Sequence, residues 1–167
     1  MTPETRRAVI AAVRAQHRLG SEGIHGVAHW ERVRENGLLL AARTGARVDV
    51  VELFAYFHDA CRHDDGYDAG HGPRGALLAR QLHGQVFDID AAGIDLLAAA
   101  CDGHTGGGTV AEITVATCWD ADRLDLGRVG TTPRPERLCT DAARDPEVLA
   151  WGYARSLGRA HPRPGQR

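Results

Sequence analysis

His58 and Asp59 close the apolar run Phe54-Ala55-Tyr56-Phe57, and Arg62, His63, Asp64 and Asp65 follow directly. An imidazole and a carboxylate set against so much aromatic surface are costly to bury unless something compensates them. Other groups of the same kind interrupt apolar stretches elsewhere. His25 and His29 are four apart, the spacing of one helical face. His71 precedes Pro73, His104 follows a Leu- and Ala-rich stretch, and Asp122 breaks an apolar face. Nine histidines stand against three each of Phe, Tyr and Trp, an excess that favours a search for ligands. Imidazole combined with carboxylate suits Mn, Fe, Co, Ni or Zn, whereas an all-oxygen set would suit Mg or Ca. A cation would give Asp59 its countercharge and His58 a bond.

Several competing motifs fail. His25-Gly26-Val27-Ala28-His29 has the histidine spacing of a zinc-protease helix, but Gly26 stands where that helix needs its glutamate base. Gly106 to Gly108 are not followed by the Lys-Ser/Thr of a phosphate-binding loop. The four cysteines, Cys61, Cys101, Cys118 and Cys139, show no CxxC spacing, which disfavours a closed structural zinc site. His17, His83 and His161 read as ordinary surface or satisfied histidines, and Trp30 and Trp119 as core. Arg32, Arg62 and Arg123 read first as solvated arginines. Arg62 is the best placed to meet a phosphate, whose oxygens a guanidinium matches in pairs.

The elements that must position these groups are helices. Thr2-Pro3 is a cap followed by proline, and Val9, Ile10 and Val13 recur at helical spacing until Gly20 to Gly23. A second helix is predicted over 24–43, closed by Gly45, and a third from Asp49-Glu52 to about Cys61. The Asp-, Gly- and His-rich stretch 62–72 reads as a loop. Further helices are predicted from Pro73, from Asp90, from a Thr109–Glu112 capping box, and over 146–157. "EITVATCW" is β-branched enough to pass for a strand but lies inside the sixth helical pattern. One helical domain over 1–160 with a flexible tail over 161–167 is the expectation.

The stretches "HGVAHWERV", "FHDACR" and "WDADRLDLG", within 24–127, resemble the HD-domain superfamily of metal-dependent phosphohydrolases, whose pattern is a histidine, a His-Asp doublet and a distant aspartate. The resemblance implies an all-α, compact HD-like bundle of about six or seven helices. It makes His29 the first ligand, His58 and Asp59 the doublet and Asp122 the last; His29 precedes an Arg-Val pair by three residues, and Asp122 follows an alanine. "HGPRGA" and "DGHT" are similar to segments that hold a second metal in extended members, which carries that role to His71 and His104. In hydrolases of guanosine tetraphosphate from this family an acidic pair follows the doublet where this chain has Arg62 and His63.

The chemistry so implied is hydrolysis of a phosphate ester or anhydride of a small molecule, with a nucleotide preferred, by water activated on one divalent transition metal or two. Asp59 and Asp64 are the candidate catalytic carboxylates, and Arg62, His25 and Arg32 the candidate substrate contacts. A di-iron oxygenase of the same superfamily and a non-catalytic metal- or nucleotide-binding module are the alternatives. A net charge of −2 with both signs interspersed offers no footprint for polymeric nucleic acid. No apolar run reaches the ~20 residues of a membrane helix, and no secretory leader pattern opens the chain. A cytoplasmic protein with reduced thiols and a small-molecule partner is expected, and the sequence leaves oligomeric state open.

Overall fold

The computed structural model describes residues 1–20 and 22–165; Ser21, within the predicted Gly20–Gly23 break, and Gln166 and Arg167, within the predicted tail, lie outside the described residues. The fold is all-α. Eight helices form among the described residues: α1 (Pro3–Gln16), α2 (Val27–Thr44), α3 (Val48–Phe57), α4 (His71–Leu82), α5 (Ala91–Gly103), α6 (Ile113–Arg123), α7 (Asp141–Arg144) and α8 (Pro146–Ser156). The count exceeds the predicted six or seven by the single turn α7, which Thr140 caps through Ala143 N–H. Part of the predicted 127–135 connection is wound into 3₁₀ turns at Leu126–Val129 and Pro135–Arg137.

The centre of the bundle is α3. Every residue from Val50 to Ala60 is buried, and Phe54, Tyr56 and Phe57 have no exposed surface. Burial of each such side chain contributes ~1.5–3 kcal/mol, so the aromatic run fixes the doublet that follows it inside the protein. α2 packs on α3 and α6, α5 on α3, and α4 on α5. Buried Asn36 joins α2 to α6 through its bond to the Ala121 carbonyl, 3.0 Å. Gly37 beside it lets α2 close on Val51, where a Cβ would collide.

Three helix starts differ from the sequence reading. α2 begins at Val27 and not at Ile24, because the Gly26 amide folds back on the Gly23 carbonyl at 2.9 Å. His25 therefore sits in a turn and does not share a helical face with His29. α4 begins at His71, two residues before Pro73; proline fits the first turn because that amide has no helical partner. The Thr109–Glu112 capping box does not form. Glu112 itself caps α6, accepting Thr114 N–H at 2.7 Å and Val115 N–H at 3.2 Å.

Two glycines let α4 approach the helix ends that carry the doublet and His104. A Cβ on Gly75 would strike the Phe57 carbonyl oxygen, and one on Gly72 the Cys101 carbonyl oxygen. Both obstacles are backbone and cannot turn aside. Gly75→Ala is expected to destabilise the protein by about 1–3 kcal/mol, read as a lower denaturant midpoint with an unchanged slope. An unchanged midpoint would show that α4 is not held at this distance.

Candidate metal centre

Five helices and the loops at their ends bring the predicted ligands together. His29 comes from the first turn of α2, His58 and Asp59 from the end of α3, Asp122 from the last turn of α6, His71 from the start of α4 and His104 from the end of α5. His29, His58, Asp59, His71 and His104 are all buried, and Asp122 is partly so.

They form two clusters that meet at one carboxylate. In the first, His29 Nε2 and His58 Nε2 lie 3.0 Å apart, each 3.4 Å from Asp59 Oδ2. Asp122 Oδ1 completes this set at 3.5 Å from His29 Nε2 and 3.8 Å from His58 Nε2. In the second, His71 Nε2 and His104 Nε2 are 2.9 Å apart and lie 3.3 and 3.7 Å from Asp59 Oδ1.

The outward nitrogens explain why the inward ones converge. His58 Nδ1 donates to the carbonyls of Phe54 and Ala55, and His104 Nδ1 to that of Cys101 at 2.7 Å. His71 Nδ1 donates to the Asp68 carbonyl, and His29 Nδ1 to Asp125 Oδ2 at 2.7 Å. With the proton on Nδ1, each neutral ring offers a lone pair at Nε2. Lone pairs that face one another and two carboxylates repel unless a cation stands between them. Asp122 Oδ1 adds to this: it is buried with no hydrogen-bond partner. The residues of the first cluster therefore fit a transition-metal ion by donor type, by orientation and by an unused acceptor.

Burial opposes the charge on Asp122, but Arg128, His58 and His29 outweigh it and bring the carboxyl down to about 2. Asp59 is likewise held below the usual carboxylate range, its burial overcome by the surrounding imidazoles. Burial pushes His58 down, yet Asp59 and Asp122 together raise it. Protons and metal thus compete for the first cluster. His71 moves the other way, to about 4, mainly because burial disfavours its charged form.

The remaining predicted residues take varied places. A cleft of about 440 Å³ opens over the two clusters, lined among others by His25, Asp59, Arg62, Asp65, His104, Asp122 and Arg128. His25 reaches it from its turn, with Nδ1 2.8 Å from Asp65 Oδ1. Asp64 is exposed and outside the cleft lining; its side chain accepts the Gly66 N–H. Arg32 also lies outside the lining and is paired with Asp125, Nε to Oδ1 at 2.6 Å and Nη2 to Oδ2 at 3.0 Å.

Asp125 and Arg128 are absent from the sequence-derived site. Asp125 links His29 to Arg32, orienting the ring from behind. Arg128 Nη2 stands 3.5 Å from Asp122 Oδ1 and 3.9 Å from Asp59 Oδ2, anchored by Nε to the Ile24 carbonyl at 3.0 Å. Their signal in sequence is the i+3 spacing, Asp122 to Asp125 to Arg128, carried through the end of α6 into the following 3₁₀ turn.

No family model matches the chain, and no curated protein does. Among solved structures, the crystal structure of a predicted HD superfamily hydrolase from an uncultured Thermotogales bacterium is similar, with 26% sequence identity, a TM-score of 0.68, and coverage of 91% of this chain and 87% of that one. No helix of the described structure is long and apolar enough to cross a membrane.

Two outcomes follow from the ring environments. Asp125→Asn keeps the shape but weakens the hold on His29, and metal affinity measured by calorimetry is expected to fall about 10–100-fold; an unchanged affinity would leave Asp125 no part in positioning. Below pH 6.5 the unfolded chain protonates His71 while the folded chain resists until about 4, so stability without added metal drops as pH falls through that window. His71→Asn is expected to flatten this limb of the denaturation midpoint against pH, and an identical slope would contradict it.

Proposed function

From a chain with the HD-superfamily fold and two His/Asp clusters able to hold metal, we propose a metal-dependent phosphohydrolase acting on a phosphate ester or anhydride of a small molecule, with nucleotides the preferred class. One observation carries this reading. Four imidazoles, each with Nδ1 satisfied, turn their Nε2 atoms onto a shared buried carboxylate at the floor of an open cleft. That arrangement leaves strong donors facing the space where solvent and substrate enter.

A divalent transition metal held by His29, His58, Asp59 and Asp122 supplies Lewis acidity and a nucleophile at neutral pH by acidifying water. The chain's own residues supply the rest. Arg128 and Arg62 put guanidinium groups on either side of Asp59, where phosphoryl oxygens would meet them. Asp125 keeps the Nδ1 proton on His29. His25, held by Asp65 at the cleft wall, is placed to hydrogen-bond the leaving part of the substrate. The cleft wall beyond the charges is formed by Leu126, Val129 and the backbone of Gly107, a surface suited to a small organic group and not to a polymer.

The test is phosphate release from a panel of nucleotides, phosphate esters and phosphonates with Mn, Co, Ni, Zn, Mg or Fe supplied separately. Release is expected with a transition metal, and a His58→Ala/Asp59→Ala variant is expected to fall to background. Phosphate release undiminished by chelator would overturn the reading. Iron- and oxygen-dependent turnover of a phosphonate would replace it with the oxygenase, and metal binding without turnover of any class with the binding module.

A further inference from the structure

The two clusters differ in what already stands beside them. Arg128 approaches the first from 3.5 Å and leaves Asp122 Oδ1 without a hydrogen bond. Arg62 enters the second. Its Nη1 lies 3.2 Å from Asp59 Oδ1 and 3.0 Å from His71 Nε2, two of the three atoms a second ion would need. The guanidinium is fixed there from behind, with Nη2 bonded to the Gly66 carbonyl at 2.7 Å and Nε to the Asp64 carbonyl at 3.2 Å. Arg62 is itself buried, with 7% of its surface exposed, so its charge is little screened.

From this asymmetry we propose that the chain holds one metal ion, at His29, His58, Asp59 and Asp122, and that the Arg62 guanidinium takes the place of a second ion at Asp59, His71 and His104. The inference rests on the metal reading of the first cluster. A guanidinium cannot lose its proton in this range, and a second cation within about 4 Å of it meets strong repulsion in a site of low dielectric. Entry of a second ion requires Arg62 to leave both Asp59 and the 64–66 backbone, so occupancy of the second cluster is tied to opening of that loop. Arg62 then serves as the fixed positive partner of the single ion across Asp59, and His71, whose Nε2 accepts from the same Nη1, acts as a positioning residue for that guanidinium.

The experiment loads the purified full chain with Mn(II), measures ions per chain by elemental analysis and calorimetry, and records the electron paramagnetic resonance spectrum. The wild type is expected to hold one ion with the spectrum of an isolated centre. His71→Ala/His104→Ala is expected to keep that stoichiometry. Arg62→Gln is expected to take a second ion and show a spin-coupled pair, and Arg62→Gln/His71→Ala to return to one. Two ions of similar affinity in the wild type would overturn the inference, as would Arg62→Gln that is folded, keeps its first ion and gains none. Should Arg62→Gln not fold, a fall from two ions to one on removing His71 and His104 from the otherwise native chain would overturn it equally. A wild type that binds no ion overturns the metal reading itself, and this inference with it.

Discussion

Asp59 is a charged carboxylate with 1% of its surface exposed, and its two oxygens face different groups of imidazoles. A lone carboxylate at that depth would take up a proton, because burial disfavours its charge. Here the surrounding groups hold it ionised, so the arrangement of four other helices around α3 answers to this one residue. α2 and α6 deliver His29 and Asp122 to one oxygen; α4 and α5 deliver His71 and His104 to the other. The aromatic run before it keeps water away, and the glycines of α4 permit the approach that its second oxygen requires.

The imidazoles are oriented largely by backbone carbonyls at the helix ends. His58 and His104 each stand at the C-terminal cap of a helix, beside carbonyls of the last turn, of which that of Phe54 also accepts the His58 N–H at 3.0 Å. Those carbonyls accept the Nδ1 protons and turn Nε2 inward. His71 lies at the opposite kind of end, and it is the preceding loop that supplies its acceptor, the Asp68 carbonyl. Only His29, in the first turn of α2, needs a side chain for the purpose, and Asp125 provides it with Arg32 behind. A histidine at a helix terminus is thus cheap to orient, which is why apolar helices can end directly in donors.

This also explains what could be read from sequence. The all-α fold, the five residues that gather around Asp59, and the helical nature of 113–123 despite its β-branched residues were legible, because apolar periodicity and residues placed just after or before it are local signals. The place of His25 was not: two glycines convert what looks like a helix start into a turn, and the choice is made by backbone freedom that periodicity does not weigh. Glu112 was seen as half of a capping box but caps alone, since both motifs need the same carboxylate at nearly the same position. Asp125 and Arg128 act across 96 and 104 residues, on His29 and the Ile24 carbonyl; their i+3 spacing from Asp122 marks a shared face but not these distant partners.

The charges around the cleft set a further condition on what it can bind. Asp59 and Asp122 are matched by Arg62 and Arg128, and Asp125 by Arg32, so the protein's own groups come close to neutrality when the imidazoles are neutral. An anion offered to such a surface gains little, because each guanidinium is already turned toward a carboxylate. On the reading proposed, a divalent ion in the first cluster changes the sign: the carboxylates become its ligands, and the arginines are left with unbalanced charge toward the cleft. Phosphate affinity is then a property of the loaded site and not of the arginines alone. On that reading the same residues that hold the ion would make the cleft selective for substrates that arrive negatively charged.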